Sequence, residues 1–420
     1  MRAVILKKFF TVLMRRPTRL LKKDFFLRLL RVFQSSLIYK TLPPGPRNRL
    51  YFDVSIISLI DNKTGVHRVI RSVYEEMQPI LRDRYEIIPV YCTALKQGFF
   101  ALKEINFDGK KRFSLTQYRI SPENGDIFLS FEQAFVEHLA QEKIFSEMKQ
   151  RGCRVILTVY DLLPLQLPHC FPSEVEVIFS KWLLSMSSFA EFLCDSKTVE
   201  GDLKNYFSSK CHKLIHTYWF YPGYNFVKNV SSLGISEQQS EYLQNLRNFK
   251  FNFLMVGTIE PRKGHKFIYD LFSKLWNNGR TDISLTLIGK KGWMVDELSE
   301  TFLKSERLNK NLFWFDQASD EFLDLCYSKT SAVIVASLNE GFGLPIIEAA
   351  QHKCRIIAND IPIFREIAPS ECYFLDVEDF ENALLQFQLW LEKPSPYCSI
   401  TVIKNWREST YQMLKKLQLL

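Results

Sequence analysis

The sequence lacks several features that would place a chain of 420 residues in a specialised class. No segment approaches the roughly 18 uncharged apolar residues of a membrane-spanning helix. Basic residues interrupt the short apolar runs at the N-terminus and no small-residue cleavage site follows them, which argues against a secretory signal. Low-complexity segments and internal repeats are absent as well. Because 46% of the residues are apolar, which is ample for sizeable cores, we expect two or three globular domains.

The nine cysteines show no pattern of pairs. They are scattered from Cys92 to Cys398 without CxxC motifs or the spacing of metal ligands. An odd, unpatterned set of thiols fits a reducing compartment better than a disulfide framework. The sequence therefore predicts a cytoplasmic protein without a metal site.

Acidic residues are nearly absent from the N-terminal segment. Residues 1–49 contain 13 Lys and Arg and one acid, Asp24, which gives this tail a charge of +12. Since the whole chain carries +9, the remaining residues sum to −3. A body with a slightly negative charge argues against nucleic acid as a partner.

The tail itself has the pattern of a basic amphipathic helix. Apolar residues recur at helical spacing, although Lys22 interrupts their face, and Pro43, Pro44 and Pro46 end any helix. Such a helix could dock on an anionic membrane surface, which would make the protein peripheral at the inner face of the membrane. A solvated tail, or a helix packed on the body, is the alternative.

Strands alternate with helices along the rest of the chain. The strand-like runs are Leu50–Ile57, Tyr85–Tyr91, Asp126–Ser130, Arg154–Val159 and Ala190–Asp195, then Asn252–Gly257, Ser284–Gly289, Leu312–Phe315, Ala332–Ser337, Cys354–Ala358 and Tyr373–Leu375. This alternation predicts an α/β fold with parallel sheets, arranged as two doubly wound, Rossmann-like domains that face each other across a cleft. The predicted segments are a tail (1–49), an N-terminal domain (50–225), a linker (226–248), a C-terminal domain (249–395) and a C-terminal helix that crosses back to the N-terminal domain (396–420).

The strongest chemical motif lies at 336–350, where a strand leads through a glycine-containing loop into a helix. Gly341 and Gly343 let backbone N–H groups approach a ligand, and Pro345 suits the first turn of a helix whose N-terminus favours an anion. Glu340 and Glu348 bracket the loop. A phosphate between two sets of hydroxyls, as in a sugar nucleotide, fits this order. Each acid alone has a structural explanation, in water or beside the helix dipole.

These residues resemble a known family. Glu340-x7-Glu348 around Gly-Phe-Gly-Leu-Pro resembles the signature of glycosyltransferase family 4, whose members are retaining enzymes of the two-Rossmann-domain, GT-B, type. Val256–His265 resembles the family's diphosphate-binding segment, and Tyr51–Ser55 with Thr64–Arg68 resembles the opening of bacterial polysaccharide-assembly, mannosyltransferase-like members. The resemblance covers roughly residues 50–415 and leaves out the tail.

The resemblance implies roles for the second half. Arg262 and Lys263 supply cationic donors to a diphosphate, a task for which their charge suits them; as an isolated pair they would be explained as solvated surface residues. Glu348 is implied to bind the ribose hydroxyls and Glu340 to face the donor sugar as a catalytic residue. The loop amides of Gly341, Phe342 and Gly343 complete the donor contacts.

In the first half, the resemblance points to two residues. Gly65 is implied to lie in the family's glycine loop against the donor phosphate. Asp161 is a second candidate catalytic residue, since Tyr160-Asp161 stands where many members have His-Asp; capping of the next segment is an equally good explanation of Asp161. The Tyr-Asp form agrees with the polysaccharide-assembly subgroup.

The resemblance therefore implies a retaining glycosyltransferase in surface polysaccharide biosynthesis, such as O-antigen or capsule. It implies a nucleotide-sugar donor, with GDP-mannose favoured over dTDP-rhamnose or a UDP-sugar, and a glycan acceptor linked to a polyprenyl carrier. No Asp-x-Asp pair follows a strand, so we expect neither a metal nor another cofactor. The alternatives are a GT-B relative without transfer activity, either a nucleotide-sugar 2-epimerase or a nucleotide-sugar-binding protein.

Overall fold

The computed structural model describes residues 40–59, 64–105, 113–224, 234–399 and 404–420. The strands in these ranges form two sheets, one in each half of the chain. In the first half they are β1 (Lys40–Thr41), β2 (Arg49–Asp53), β3 (Glu86–Thr93), β4 (Lys96–Ile105), β5 (Phe113–Arg119), β6 (Ile127–Ser130), β7 (Arg154–Val159), β8 (Glu191–Cys194) and β9 (Thr217–Trp219). In the second half they are β10 (Phe251–Val256), β11 (Ile283–Ile288), β12 (Leu312–Phe315), β13 (Ala332–Val335), β14 (Arg355–Asn359) and β15 (Tyr373–Leu375).

Helices connect the strands in both halves. In the first half they are α1 (Gly65–Leu81), α2 (Phe135–Ala140), α3 (Glu142–Gln150), α4 (Leu163–Gln166), α5 (Ser173–Met186) and α6 (Lys197–Cys211). In the second half they are α7 (Glu237–Asn245), α8 (His265–Asn277), α9 (Asp296–Lys304), α10 (Asp320–Lys329), α11 (Leu344–Gln351), α12 (Pro362–Ile367), α13 (Phe380–Glu392) and α14 (Trp406–Lys416). Single 3-10 turns occur at Pro168–Cys170, Leu246–Asn248 and Pro261–Lys263.

The second sheet is fully parallel, with the strand order β12-β11-β10-β13-β14-β15. Its strand order reverses between β10 and β13, because the chain winds outward first in one direction and then in the other. At such a switch point the loops after the two central strands diverge and leave a crevice where ligands bind. The loop after β10 carries Arg262 and Lys263, and the loop after β13 carries Glu340.

The first sheet has the order β1-β5-β4-β3-β2-β6-β7-β8-β9 and is mixed. Strands β3, β2, β6, β7, β8 and β9 run parallel to one another, whereas β4 runs antiparallel to its two neighbours, β3 and β5. The prediction of a parallel sheet was therefore incomplete in this half. The predicted strands did not include β4, β5 or β9. An antiparallel pair needs no crossover helix, so the alternation of strand and helix gave no sign of β4 and β5.

Helix α1 shows why its sequence folds locally. The Thr64 side chain accepts a hydrogen bond from the amide of His67 and caps the first turn. Val69, Ile70, Val73 and Met77 then recur at helical spacing and are buried. This apolar face packs against α14, whose Met413 and Leu414 lie in the same hydrophobic cluster. The C-terminal helix thus lies on the first half of the molecule.

The described parts of the predicted tail and of the predicted linker contain regular secondary structure. The amphipathic part of the tail lies outside the described residues, but Lys40–Thr41 pairs in parallel with β5, and Arg49, the first residue of β2, is buried against Glu86. In the segment 226–248, residues 237–245 form helix α7, capped by Ser236. Its Tyr242 is buried on the second sheet, where its hydroxyl bonds to Thr286, so this part of the predicted linker packs as a regular element.

Candidate active site

The glycine loop between β13 and α11 lies against the first half of the chain. A Cβ atom on Gly341 would stand 1.9 Å from the carbonyl oxygen of Tyr160, so only glycine fits there. The carbonyl of Gly341 also accepts a hydrogen bond of 2.9 Å from the Ser196 hydroxyl. Gly343 has φ +97°, in the left-handed region, and begins helix α11. Packing at Gly341 and backbone conformation at Gly343 therefore favour glycine, in addition to the ligand contacts that the sequence predicts for both.

Glu340 is the centre of a buried charge cluster. Its carboxylate accepts hydrogen bonds from Arg262 (2.9 Å), from the Lys263 ammonium and from the Ser337 hydroxyl (2.7 Å). Burial alone would raise the pKa of Glu340, but the charges of Lys263 and Arg262 outweigh it and lower the pKa to about 2. Glu340 is thus ionised at every pH at which the protein would be assayed.

Arg262 and Lys263 form part of a 3-10 turn that ends at Gly264, a residue with positive φ. Their side chains are each only 16% exposed, which rules out the interpretation as a solvated pair. Arg262 also lies 3.0 Å from a carboxylate oxygen of Glu260, and its carbonyl accepts the amide of Leu338. The two loops at the switch point of the second sheet are thereby joined, with the cations facing the anion.

Asp161 follows β7, and its contacts agree in part with the explanation that it caps the next segment. One of its carboxylate oxygens accepts the amide of Leu163 at 3.1 Å, so it caps the start of α4. Burial raises the pKa of Asp161, and the positive charge of Arg262 opposes this rise. Asp161 therefore bonds to the start of α4 and also lies close enough to the Glu340 cluster to feel its charges.

Asp195 is a neighbour that the sequence analysis missed. It comes directly after β8, next to β7 in the sheet, and is 4% exposed. Burial raises the pKa of Asp195 well above its usual value, and the nearby Asp161 adds to the rise. A polar residue directly after a buried strand is the signal that could have identified it, since carboxyl ends of parallel strands meet at one edge.

Glu348 connects the two halves of the molecule. One carboxylate oxygen accepts a bond of 2.7 Å from Arg68 on α1, and the other accepts a bond of 2.8 Å from the Tyr327 hydroxyl. Glu348 lies in the second turn of α11 and is 7% exposed, so the interpretation as a first-turn residue beside the helix dipole does not apply. Neither Arg68 nor Tyr327 was among the predicted site residues.

Gly65 and Phe342 are the remaining predicted donor-binding residues, and they lie on different elements. Gly65 is the first residue of α1, and a Cβ there would lie 3.0 Å from the side chain of Leu344, the first residue of α11. Phe342 is 5% exposed, and its ring packs near Tyr221 at a centroid distance of 5.9 Å. Only the backbone of Phe342 can therefore serve a ligand, as the prediction for the loop amides requires.

Direct contacts hold the two halves together around these residues. The Asn339 amide donates to Gln166 at 2.9 Å, and the Trp293 indole donates to the carbonyl of Cys170 at 2.8 Å. The Glu366 carboxylate accepts the amides at the start of α6. A cavity behind the glycine loop, at Lys263, His265 and Ser337, has a volume of about 10 Å³, enough for one water molecule. This cavity is too small for a sugar nucleotide.

Two kinds of feature are absent from the residues that the structure describes. Nowhere in this part of the chain are three or more His, Cys, Asp or Glu side chains grouped so that they could hold a metal ion. None of the helices in the described ranges is long and apolar enough to cross a membrane.

Comparison with known proteins agrees with this geometry. Residues 241–405 match the family model described as glycosyl transferases group 1, which includes both loops of the charge cluster. The serotype-specific mannosyltransferase WbdA of Escherichia coli is 31% identical over 384 residues, or 89% of this chain and 45% of WbdA. Residues 241–405 thus form a domain of the glycosyl transferases group 1 family. The resemblance predicted from the sequence is confirmed.

Two further matches extend the comparison. The O-antigen chain mannosyltransferase RfbU of Salmonella typhimurium is 27% identical over 53% of this chain and 57% of RfbU. The chain thus spans about half the length of the curated relatives it matches. Sucrose-phosphate synthase from Thermosynechococcus elongatus matches in structure with a TM-score of 0.62 and 14% identity, covering 89% of this chain and 99% of the synthase. The predicted α/β fold of the GT-B type is confirmed.

Proposed function

We propose that this group 1 glycosyltransferase transfers mannose, with retention, from a nucleotide diphosphate to a glycan acceptor during surface polysaccharide assembly. One observation carries the proposal. The cluster of Glu340, Arg262 and Lys263 lies at the switch point of the second sheet, in a chain that is 31% identical to a mannosyltransferase. GDP-mannose is the favoured donor, and a polyprenyl-linked glycan is the favoured acceptor.

The chemistry of each residue fits one part of such a donor. Arg262 and Lys263 would bind the diphosphate, since charge-assisted bonds to phosphate are strong and Arg binds it in a bidentate manner. The amides of the loop 341–343, at the start of α11, would add further donors to the anion. Glu348 would accept bonds from the ribose hydroxyls. These assignments put the donor along the crevice from α11 to the loop after β10.

Transfer at an anomeric carbon passes through a state in which the ring gains positive charge and the diphosphate gains negative charge. Prearranged cations at the diphosphate lower this barrier, and an ionised Glu340 facing the sugar stabilises the ring charge. When the diphosphate engages Arg262 and Lys263, Glu340 loses part of its compensation and becomes available to the sugar. Asp161, across the cluster, would assist the acceptor. The chain's own cations thus replace the metal that other glycosyltransferases use.

Glu348→Ala is expected to raise the donor KM about 10-fold or more while changing kcat little, because ribose contacts contribute to the ground state and the transition state alike. Initial rates at varied donor concentration measure both constants. Glu297→Ala, an exposed acid at the start of α9, serves as the control. A fall in kcat at unchanged KM would contradict a ribose-binding role.

The activity itself is tested by screening GDP-mannose, dTDP-rhamnose and UDP-sugars with the full chain and a mannose-ended acceptor. We expect transfer from GDP-mannose in the presence of EDTA at the rate seen without it, because the cations of the cluster supply the charge. Complete loss of activity that Mg²⁺ restores would reject the metal-free mechanism. An epimerised donor without a transferred sugar would favour a nucleotide-sugar epimerase instead.

We also propose that residues 1–49 bring the protein to an anionic membrane surface. Their charge of +12 contrasts with −3 for the rest of the chain, and apolar residues accompany the basic ones. Deletion should stop at residue 39, since Lys40–Thr41 pairs with β5. The truncated protein is expected to lose binding to anionic vesicles, measured by sedimentation, yet to keep transfer to a soluble acceptor. Equal sedimentation of both proteins would contradict membrane docking.

A further inference from the structure

Arg68 is a cation of the first half that reaches into the candidate donor site. It lies at the end of the first turn of α1, and its Nη1 donates to Glu348 of α11 at 2.7 Å. This ion pair joins the two halves of the chain. Burial alone would lower the pKa of Arg68, but Glu348 raises it, so the guanidinium is charged.

The position of Arg68 is unfavourable for the helix that carries it. The N-terminal turn of a helix bears partial positive charge, which repels a cation. The start of α11 is close by, since a Cβ atom on Gly65 would lie 3.0 Å from the side chain of Leu344. Two helix N-termini and a guanidinium therefore lie near one another, and the carboxylates that act on this guanidinium are Glu348 and, more weakly, Asp320. An anion in the crevice would complete the balance.

The guanidinium has donors left for such an anion. It carries five N–H groups, and the bond to Glu348 uses one of them. The Arg68 side chain is 42% exposed while that of Glu348 is 9% exposed, so part of the Arg68 side chain is open to solvent where the two halves meet. The bond to Glu348 thus orients the guanidinium and leaves its other N–H groups available to a ligand.

We propose that Arg68 is a nucleotide-binding residue, which donates to the phosphates of a nucleoside diphosphate while Glu348 holds it in place. The proposal rests on the function proposed above, because it places the ribose at Glu348. In this arrangement a phosphate of the nucleotide contacts the first half through Arg68 and the second half through Arg262 and Lys263. The nucleotide therefore stabilises the contact between the two halves, and Arg68 contributes to affinity for the phosphates but not for the nucleoside.

The test compares a nucleoside with its diphosphate in calorimetric titrations of the full-length protein. The ligands are GDP and guanosine, or the pair whose diphosphate binds the wild type most tightly. Arg68→Ala is expected to weaken diphosphate binding about 10-fold or more and to leave nucleoside binding within about twofold. Arg68→Lys should recover part of the diphosphate affinity. Arg82→Ala, at the far end of the same helix and paired with Asp83 outside the crevice, is the matched control.

A second background separates phosphate binding from a merely structural ion pair. In Glu348→Gln, Arg68→Ala should still weaken diphosphate binding, whereas an arginine that only neutralises Glu348 would then have no effect. Equal weakening of nucleoside and diphosphate, or unchanged affinity for both, would overturn the proposal while leaving the transferase function standing. If no nucleoside diphosphate binds the wild type, the proposed function fails, and the assignment of Arg68 fails with it.

Discussion

Arg262→Ala and Lys263→Ala are each expected to weaken nucleoside diphosphate binding by roughly 10- to 100-fold. The reason is the loss of charge-assisted hydrogen bonds, about 1.5–3 kcal/mol for each side chain. Arg262 should show the larger effect, because its planar guanidinium can donate two bonds to one phosphate. Calorimetric titration of GDP into the wild type and both variants measures the change.

Because both cations pair with Glu340, a variant could lose affinity through local disorder instead of lost phosphate contacts. Thermal unfolding of each variant, and Arg262→Lys as a charge-conserving change, separate these effects. Lys266→Ala is the matched control, since Lys266 lies three residues after Lys263, at the start of α8, is 75% exposed and pairs with Asp270. Wild-type affinity in both Arg262→Ala and Lys263→Ala would remove these residues from the donor site.

Glu340→Gln is expected to lower kcat about 100-fold, a barrier increase of about 2.7 kcal/mol, because the amide cannot stabilise positive charge on the sugar ring. Binding should change in the opposite direction. The carboxylate pairs with Arg262 and Lys263, so its removal leaves both cations more available to the diphosphate. We therefore expect unchanged or tighter nucleotide binding together with slow turnover.

This opposition between binding and turnover distinguishes a catalytic Glu340 from one that only supports the fold. Loss of a structural carboxylate would leave Lys263 without its anionic partner and Arg262 with Glu260 alone, and nucleotide affinity and stability would then fall together. Steady-state kinetics and GDP titration on the same preparation decide between the two. Glu300→Gln, at an exposed acid on α9, is the control for the change from acid to amide. Wild-type kcat in Glu340→Gln would contradict the assigned role.

Local patterns predicted much of the second half. The strands around β10 and β13, the glycine loop and the helix after it all follow from alternation, glycine spacing and the position of Pro345. The reason is physical, because a parallel strand, its loop and its helix are determined within about 30 residues of sequence. Glu340 also proved to be a neighbour of Arg262 and Lys263, as loops that flank a switch point require.

Contacts between the halves could not be predicted in the same way. Arg68 and Glu348 are separated by 280 residues, and the packing of Gly341 on Tyr160 depends on how the two sheets face each other. No local pattern encodes such a pairing. The mutual neutralisation of Glu340 with Arg262 and Lys263 was also missed, since the sequence suggested a separate partner for each. The hairpin-like pair β4 and β5 escaped prediction because antiparallel strands carry no intervening helix.

The most direct test of retaining mannosyl transfer is the anomeric configuration of the first product. GDP-α-mannose is incubated with the full-length protein and a mannose-ended acceptor. The anomeric configuration of the new glycosidic linkage is then assigned by nuclear magnetic resonance. Retention with transfer predicts an α-linked mannose in the product and GDP as the other product in equal amount. A β-linked product, or release of GDP without any mannosylated acceptor, would contradict it.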